Sequence, residues 1–133
     1  GKFSHTYPER MNTPDIMGIR YHYGNLHDVI TMLQKNPNTR QAYLPIWFPE
    51  DTGAVHGERV PCSLGYQFYI RDGQLDCYYS MRSCDFRRHF KNDVYMAGRL
   101  MQYIANSVKV RPGELHMHIM NLHIFKGEEN VIL

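Results

Sequence analysis

The chain has 133 residues, 43% of them hydrophobic and 13% aromatic, with a net charge of +2. That supports one domain spanning residues 1–133 with a modest core, and it argues against a disordered chain; the charge is too mild to imply a nucleic-acid platform but suits a small anionic ligand. No apolar run approaches about 18 residues and no signal-peptide pattern opens the chain, so a soluble, cytoplasmic protein is expected, without a membrane partner.

Residues 1–24 are broken by Pro8, Pro14, Gly18 and Gly24 and read as irregular. Glu9 and Arg10, the charged pair there, read as a solvated turn. Leu26, Val29, Ile30 and Leu33 recur with helical spacing, Asn25 is placed to cap the start, and Asp28 falls in the first turn. Asn36-Pro37-Asn38 ends that helix. Thr39 to Phe48 reads as a strand in which Pro45 marks an edge or a bulge, and residues 49–58 read as a loop.

Tyr66–Ile70 and Leu75–Met81 are β-rich runs joined through Arg71-Asp72-Gly73, and Asp-Gly between such runs signals a hairpin. Val94, Ala97, Met101, Ile104 and Ala105 mark a second helix with one buried face. Pro112-Gly113 then reads as the turn into a last strand from Leu115 to Phe125. This order, with a hairpin and no regular βαβ crossover, predicts an α+β fold: a mixed sheet with helices on one face.

Three cysteines, Cys62, Cys77 and Cys84, form an odd set without paired metal spacing, so reduced thiols in an intracellular setting are expected. Most cysteines act as small buried hydrophobes, and Cys77 and Cys84 read that way. Cys62 differs: Pro61 fixes the backbone before it, and Arg40 and Arg82 are cations able to stabilise a thiolate if the fold brings them close. His116, His118 and His123 on alternating positions invite a zinc reading, but no carboxylate or cysteine completes a set, and no metal is expected.

Pro61-Cys62 with Gln67-Phe68-Tyr69, Arg82-Ser83-Cys84-Asp85, a following helix and His123-Ile124-Phe125 together resemble the core of the thymidylate synthase family, which includes the pyrimidine nucleotide hydroxymethylases. Asn36-Pro37-Asn38-Thr39-Arg40 resembles its phosphate-binding arginine segment, and Tyr23-Gly24 its lead-in to the preceding helix. The likeness covers roughly residues 21–125. It implies that Cys62 adds to C6 of a pyrimidine nucleoside monophosphate, making C5 a nucleophile towards the one-carbon unit of 5,10-methylenetetrahydrofolate. It also implies that Arg82 and Ser83 bind the phosphate, Gln67 supports the nucleotide, and His123 meets the sugar hydroxyl. Asp85 and Trp47 would face the folate, and Arg40 would reach the phosphate of the neighbouring subunit in a homodimer.

The family's base-reading asparagine falls, without a gap, on Asp93; a one-residue gap would put Asn92 there instead. An amide offers a donor and an acceptor, which suits uracil. A carboxylate offers acceptors alone, which suits the N4 amino group of cytosine and N3 once it is protonated. Aspartate stands at this position in the family's cytosine-specific hydroxymethylases, so dCMP is the expected substrate and dUMP the alternative. Other departures from the family are Phe125 for a tyrosine, Ser63 for a histidine, Gln41 for a second arginine, and Arg87-Arg88-His89 in a normally apolar loop. That basic run is either an additional anion site or a solvated charge run. Both flanks are short beside the family: Glu9 and Arg10 are candidates for an absent glutamate and arginine, and Val131-Ile132-Leu133 is either a closing tail or a strand end. A reduced viral version (acting in the host cytoplasm), a fragment, and a non-catalytic module that keeps the nucleotide pocket are all compatible with that length.

Overall fold

The computed structural model describes residues 24–52 and 60–124; the expectations for Glu9, Arg10, Phe125 and residues 131–133 lie outside them. Helix α1 (Leu26–Lys35) starts where the cap chemistry puts it. Asn25 accepts from the Asp28 backbone N–H at 2.9 Å, and Asp28 accepts in return from the Asn25 N–H at 3.3 Å, a reciprocal capping box. Val29 and Leu33 form its buried stripe.

Strand β1 is only Tyr43–Pro45, shorter than the Thr39–Phe48 run predicted. Local side chains compete for the backbone at its start, where Thr39 Oγ1 accepts from the Gln41 N–H at 3.1 Å. At its end the N–H groups of Ile46 and Trp47 both donate to the Leu64 carbonyl, which ends regular pairing just past Pro45. The expected loop contains one helical turn, α2 (Pro49–Thr52), because Asp51 accepts from the Phe48 N–H at 2.7 Å and Pro49 has no N–H to satisfy.

Strands β2 (Ser63–Arg71) and β3 (Gln74–Met81) form the predicted hairpin. Asp72 and Gly73 both have positive φ (53° and 73°), the type I′ geometry that suits the twist of the flanking strands. A bulge between Ser63 and Gly65 re-aims the start of β2. After the two-residue strand β4 (Cys84–Asp85) comes the long helix α3 (Phe90–Val108). Lys109, left-handed at φ 63°, ends α3 and returns the chain to β5 (Arg111–Ile119) and β6 (Leu122–His123).

Two expectations are corrected here. The turn falls at Lys109, and Pro112-Gly113 lie inside β5, where Pro112 is tolerated because β5 is an edge of the sheet. The absence of a βαβ crossover also fails: β5 pairs parallel to β3, and parallel neighbours need a crossover long enough to return the chain, which α3 supplies. The sheet order is β1-β2-β3-β5, and β4 pairs parallel with β6 in a second, two-stranded sheet. The fold is α+β, with a mixed sheet whose inner face (Leu44, Tyr66, Phe68, Leu75, Cys77, Tyr79, Met81) packs against α1 and α3. Ala97, Met101, Ile104 and Ala105 are among the buried residues of α3 in that core.

Candidate active site

Cys62 lies just before β2, half-exposed. Its neighbour across the hairpin is Arg82, just past β3: the Arg82 N–H donates to the Cys62 carbonyl at 2.7 Å. The same register brings the Arg82 guanidinium to the sulfur, with Nη2 at 3.9 Å from Sγ and 3.4 Å from the Pro61 carbonyl. Trp47 lies under that guanidinium, 5.7 Å from its ring centre to Cζ. Its own Nε1 donates to Thr52 Oγ1 at 3.2 Å, so the one-turn helix α2 holds the ring in place. A half-exposed thiol, a cation and an aromatic face thus meet at the open start of the hairpin.

The next layer is built by β4, β6 and the head of α3. The Cys84 N–H donates to the Asn121 carbonyl at 2.8 Å and the Phe86 N–H to the His123 carbonyl at 2.7 Å, which sets Asp85 beside His123 in register. His123 Nδ1 contacts Asn121 Oδ1 at 3.0 Å. Asp85 is 5% exposed; its Oδ1 accepts from the Arg87 and Arg88 N–H groups, each at 3.1 Å. Its Oδ2 is buried without a hydrogen-bond partner among the described residues, and Arg88 Nε lies 3.6 Å away as a long ion pair. The basic run therefore has a structural part, in that two of its backbone donors tie down Asp85, while the Arg87, Arg88 and His89 side chains stay exposed.

Asp93, in the first turn of α3, is 7% exposed. Burial pushes its carboxyl pKa up from 3.8, opposed by a hydrogen bond from the Cys84 thiol (Sγ–Oδ2 3.7 Å) and by the charge of His89. The Cys84 thiol is itself pushed up to about 12, first by burial, then by Asp93, with smaller contributions from Cys62 and Asp85. The buried Cys84 thiol therefore lies close enough to Asp93, Cys62 and Asp85 to respond to their charge.

Two expected site residues stand apart. Gln67 Nε2 donates to the carbonyls of Ala42 (3.3 Å) and Arg40 (3.4 Å), so it braces the segment that carries Arg40 and makes no contact with Cys62. The Arg40 side chain is exposed, and among the described residues nothing binds its guanidinium. Ser83 is half-exposed between Arg82 and Cys84. Reading the sequence missed Cys84 as a partner of Asp93, and Asn121 as the residue against His123. The Cys84–Asp93 contact joins β4 to α3 across nine residues and leaves no periodic signal, and the Asn121–His123 contact, only two residues apart, depends on the backbone turn into β6. Ser63, where the family has a histidine, is fully buried and its hydroxyl bonds the Tyr79 hydroxyl. Among the described residues no cluster of three or more His, Cys, Asp or Glu could hold a metal ion.

The family model described as thymidylate synthase matches residues 4–131. Among curated relatives, a "Putative thymidylate synthase" of Methanosarcina barkeri is 29% identical over 133 residues, covering 98% of this chain and 57% of that protein. Its counterpart from Methanosarcina acetivorans is 28% identical, again over 98% of this chain and 57% of the relative. A thymidylate synthase of Listeria monocytogenes serotype 4a is 32% identical over 111 residues, 80% of this chain and 35% of that protein. The chain thus spans little more than half the length of the archaeal relatives and about a third of the bacterial one. Its motifs, the hairpin that unites Cys62 with Arg82, and a family match over nearly the whole length agree: the chain belongs to the thymidylate synthase family.

Proposed function

We propose that this chain is a single-domain, cytoplasmic C1 transferase that adds a one-carbon unit to C5 of a pyrimidine nucleoside monophosphate, with dCMP hydroxymethylation favoured over dUMP methylation. The observation that carries the proposal is the half-exposed Cys62 thiol with the Arg82 guanidinium 3.9 Å from its sulfur. A neighbouring cation stabilises a thiolate, and the thiolate is the nucleophile. Cys62 adds to C6 of the ring, the ring N3 takes up a proton, and C5 becomes nucleophilic. Water supplies the hydroxyl oxygen of the product, and departure of the cysteine as thiolate, with loss of the protons on C5 and N3, restores the ring. Arg82 and Ser83 bind the phosphate, for which the planar guanidinium fork is suited, and His123 meets the sugar.

Methylenetetrahydrofolate, when bound, supplies the carbon electrophile. The residues present fit it: the buried Oδ2 of Asp85, which no described residue hydrogen-bonds, is an acceptor for a ring N–H of the cofactor, and leaving it unsatisfied costs about 1–3 kcal/mol. The Trp47 ring offers an aromatic face beside Arg82. The buried carboxylate of Asp93 supports a cytosine substrate, since an ionised carboxylate accepts from an amino group and opposes a carbonyl lone pair. Asn92, the gapped alternative, is exposed, which also supports Asp93. The exposed Arg40 guanidinium, which no described residue binds, supports a homodimer in which it reaches the neighbouring phosphate.

Intact-mass measurement after incubation with methylenetetrahydrofolate and a 5-fluoropyrimidine monophosphate, cytosine or uracil, tests the reading. An adduct present in the wild type and absent in Cys62→Ala is expected. No adduct with either base would leave a nucleotide-binding module without catalysis. Dihydrofolate formation separates the two reactions, because methylation oxidises the cofactor and hydroxymethylation does not. Dihydrofolate with dUMP and no reaction with dCMP would overturn the cytosine assignment. Sedimentation with and without nucleotide tests the dimer, and weaker phosphate binding in Arg40→Ala is expected.

A further inference from the structure

We propose that Trp47 is a positioning residue for the nucleophile: its indole face holds the Arg82 guanidinium beside the Cys62 sulfur. This deepens the reading above, in which Arg82 serves Cys62, and rests on that reading for its bearing on catalysis.

The three residues come from separate segments, and backbone bonds bring them together. Just past β1 the N–H groups of Ile46 and Trp47 both donate to the Leu64 carbonyl, at 2.9 and 3.1 Å, which delivers the indole to the start of β2, where Cys62 lies. From the other strand of the hairpin the Arg82 N–H donates to the Cys62 carbonyl at 2.7 Å. The tryptophan is fixed at both ends, its backbone by Leu64 and its Nε1 by Thr52 Oγ1 at 3.2 Å.

The Arg82 side chain has little else to hold it. It is exposed, and its hydrogen bonds among the described residues both come from Nη2 and are both long: 3.4 Å to the Pro61 carbonyl and 3.9 Å to Cys62 Sγ. Nε and Nη1 make none among the described residues. A long, exposed side chain keeps most of its rotamer freedom, and contacts of that length restrict it little. The indole centre lies 5.7 Å from the guanidinium carbon. That is inside the range of about 6 Å over which an aromatic face attracts a cation, and indole is the strongest such face among the side chains. Trp47 therefore selects the rotamer in which the guanidinium meets the sulfur, while the N–H groups of Nε and Nη1 stay available to a phosphate.

Alkylation of the 133-residue chain by iodoacetate and by iodoacetamide, with Cys62 followed by peptide mass mapping, tests this. The two reagents differ in charge and hardly in size. Their rate ratio at Cys62 therefore cancels the accessibility and ionised fraction of the thiol and reads the cation beside it. Arg82→Gln should lower the iodoacetate-to-iodoacetamide ratio by about fivefold, the weight of one unit charge about 4 Å away in water. Trp47→Leu should lower it by at least about twofold although Arg82 is still present. Trp47→Phe, which keeps an aromatic face, should stay nearer the wild type than Trp47→Leu. A purely structural role would change both rates together and leave the ratio alone. An unchanged ratio in Trp47→Leu or in Arg82→Gln overturns the inference, as does a Trp47→Phe ratio as low as that of Trp47→Leu. If Trp47→Leu fails to fold, the fluorescence of Trp47, the one tryptophan of the chain, decides. Arg82→Gln should then change its emission, and an unchanged spectrum overturns the inference. Alkylation needs no nucleotide, so a chain that meets these expectations yet forms no adduct with a fluoropyrimidine would lose the proposed function and keep this contact.

Discussion

At Asp93, burial and hydrogen bonding pull one carboxyl group in opposite directions, and burial wins. The folded chain then holds this proton more tightly than the unfolded chain does. Stability contributed through the group is complete below pH 3.8 and is lost as pH rises through the raised folded value. Asp93→Asn removes that loss. The variant should unfold at higher urea concentration than the wild type at neutral pH, with the difference vanishing as the pH approaches 3.8. Such a result would mean that the acidic residue is held against stability. The three thiols divide in the same way. Burial pushes Cys77 and Cys84 up to about 12, whereas Cys62 is half-exposed beside Arg82. Brief treatment with iodoacetamide at mildly alkaline pH should therefore label Cys62 alone, and peptide mass mapping should find Cys77 and Cys84 modified only after denaturation. That contrast was partly legible from Pro61 and Arg82, whereas Arg40, the other cation expected there, stands apart. The Cys84–Asp93 contact was not, because nine residues and a change of element separate the partners.

Among the elements, those governed by local chemistry matched their sequence signals best. Asn25 and Asp28 define the start of α1 by reciprocal hydrogen bonds that span three residues. Asn25→Ala should cost about 1 kcal/mol in a urea titration, with Asn25→Ser close to the wild type. The Asp72-Gly73 hairpin was equally plain, since its turn type demands positive φ at both positions. Elements that depend on distant partners were misjudged. Thr39 to Phe48 has strand composition, yet regular pairing with β2 covers only Tyr43–Pro45. Pro112 and Gly113 look like a turn, but β3 draws them into a parallel pair. The left-handed Lys109, a residue type that rarely caps a helix this way, leaves no clear mark in the sequence.

On the scale of the whole molecule, the parallel β3–β5 pair ties the hairpin half of the chain to the half that follows α3. Asp76 is a buried link in that seam: its Oδ1 accepts from the Glu114 N–H at 2.8 Å and from Gln74 Nε2 at 3.1 Å. Gly113 lies so close that an added Cβ would collide with the Asp76 carboxylate. Asp76→Ala strands a part-buried backbone donor and should lower stability by about 1–3 kcal/mol in urea, while Asp76→Asn keeps the acceptor and should lose less. No helix among the described residues is long and apolar enough to cross a membrane. By itself the sequence determined the fold class, the hairpin and both long helices, because caps, tight turns and hydrophobic periods act over a few residues. Only the tertiary structure decided that β5 runs parallel to β3, that Arg82 lies against Cys62, and that a buried thiol bonds Asp93. Those contacts arise between segments distant in sequence, and their distances exist only once the core has closed.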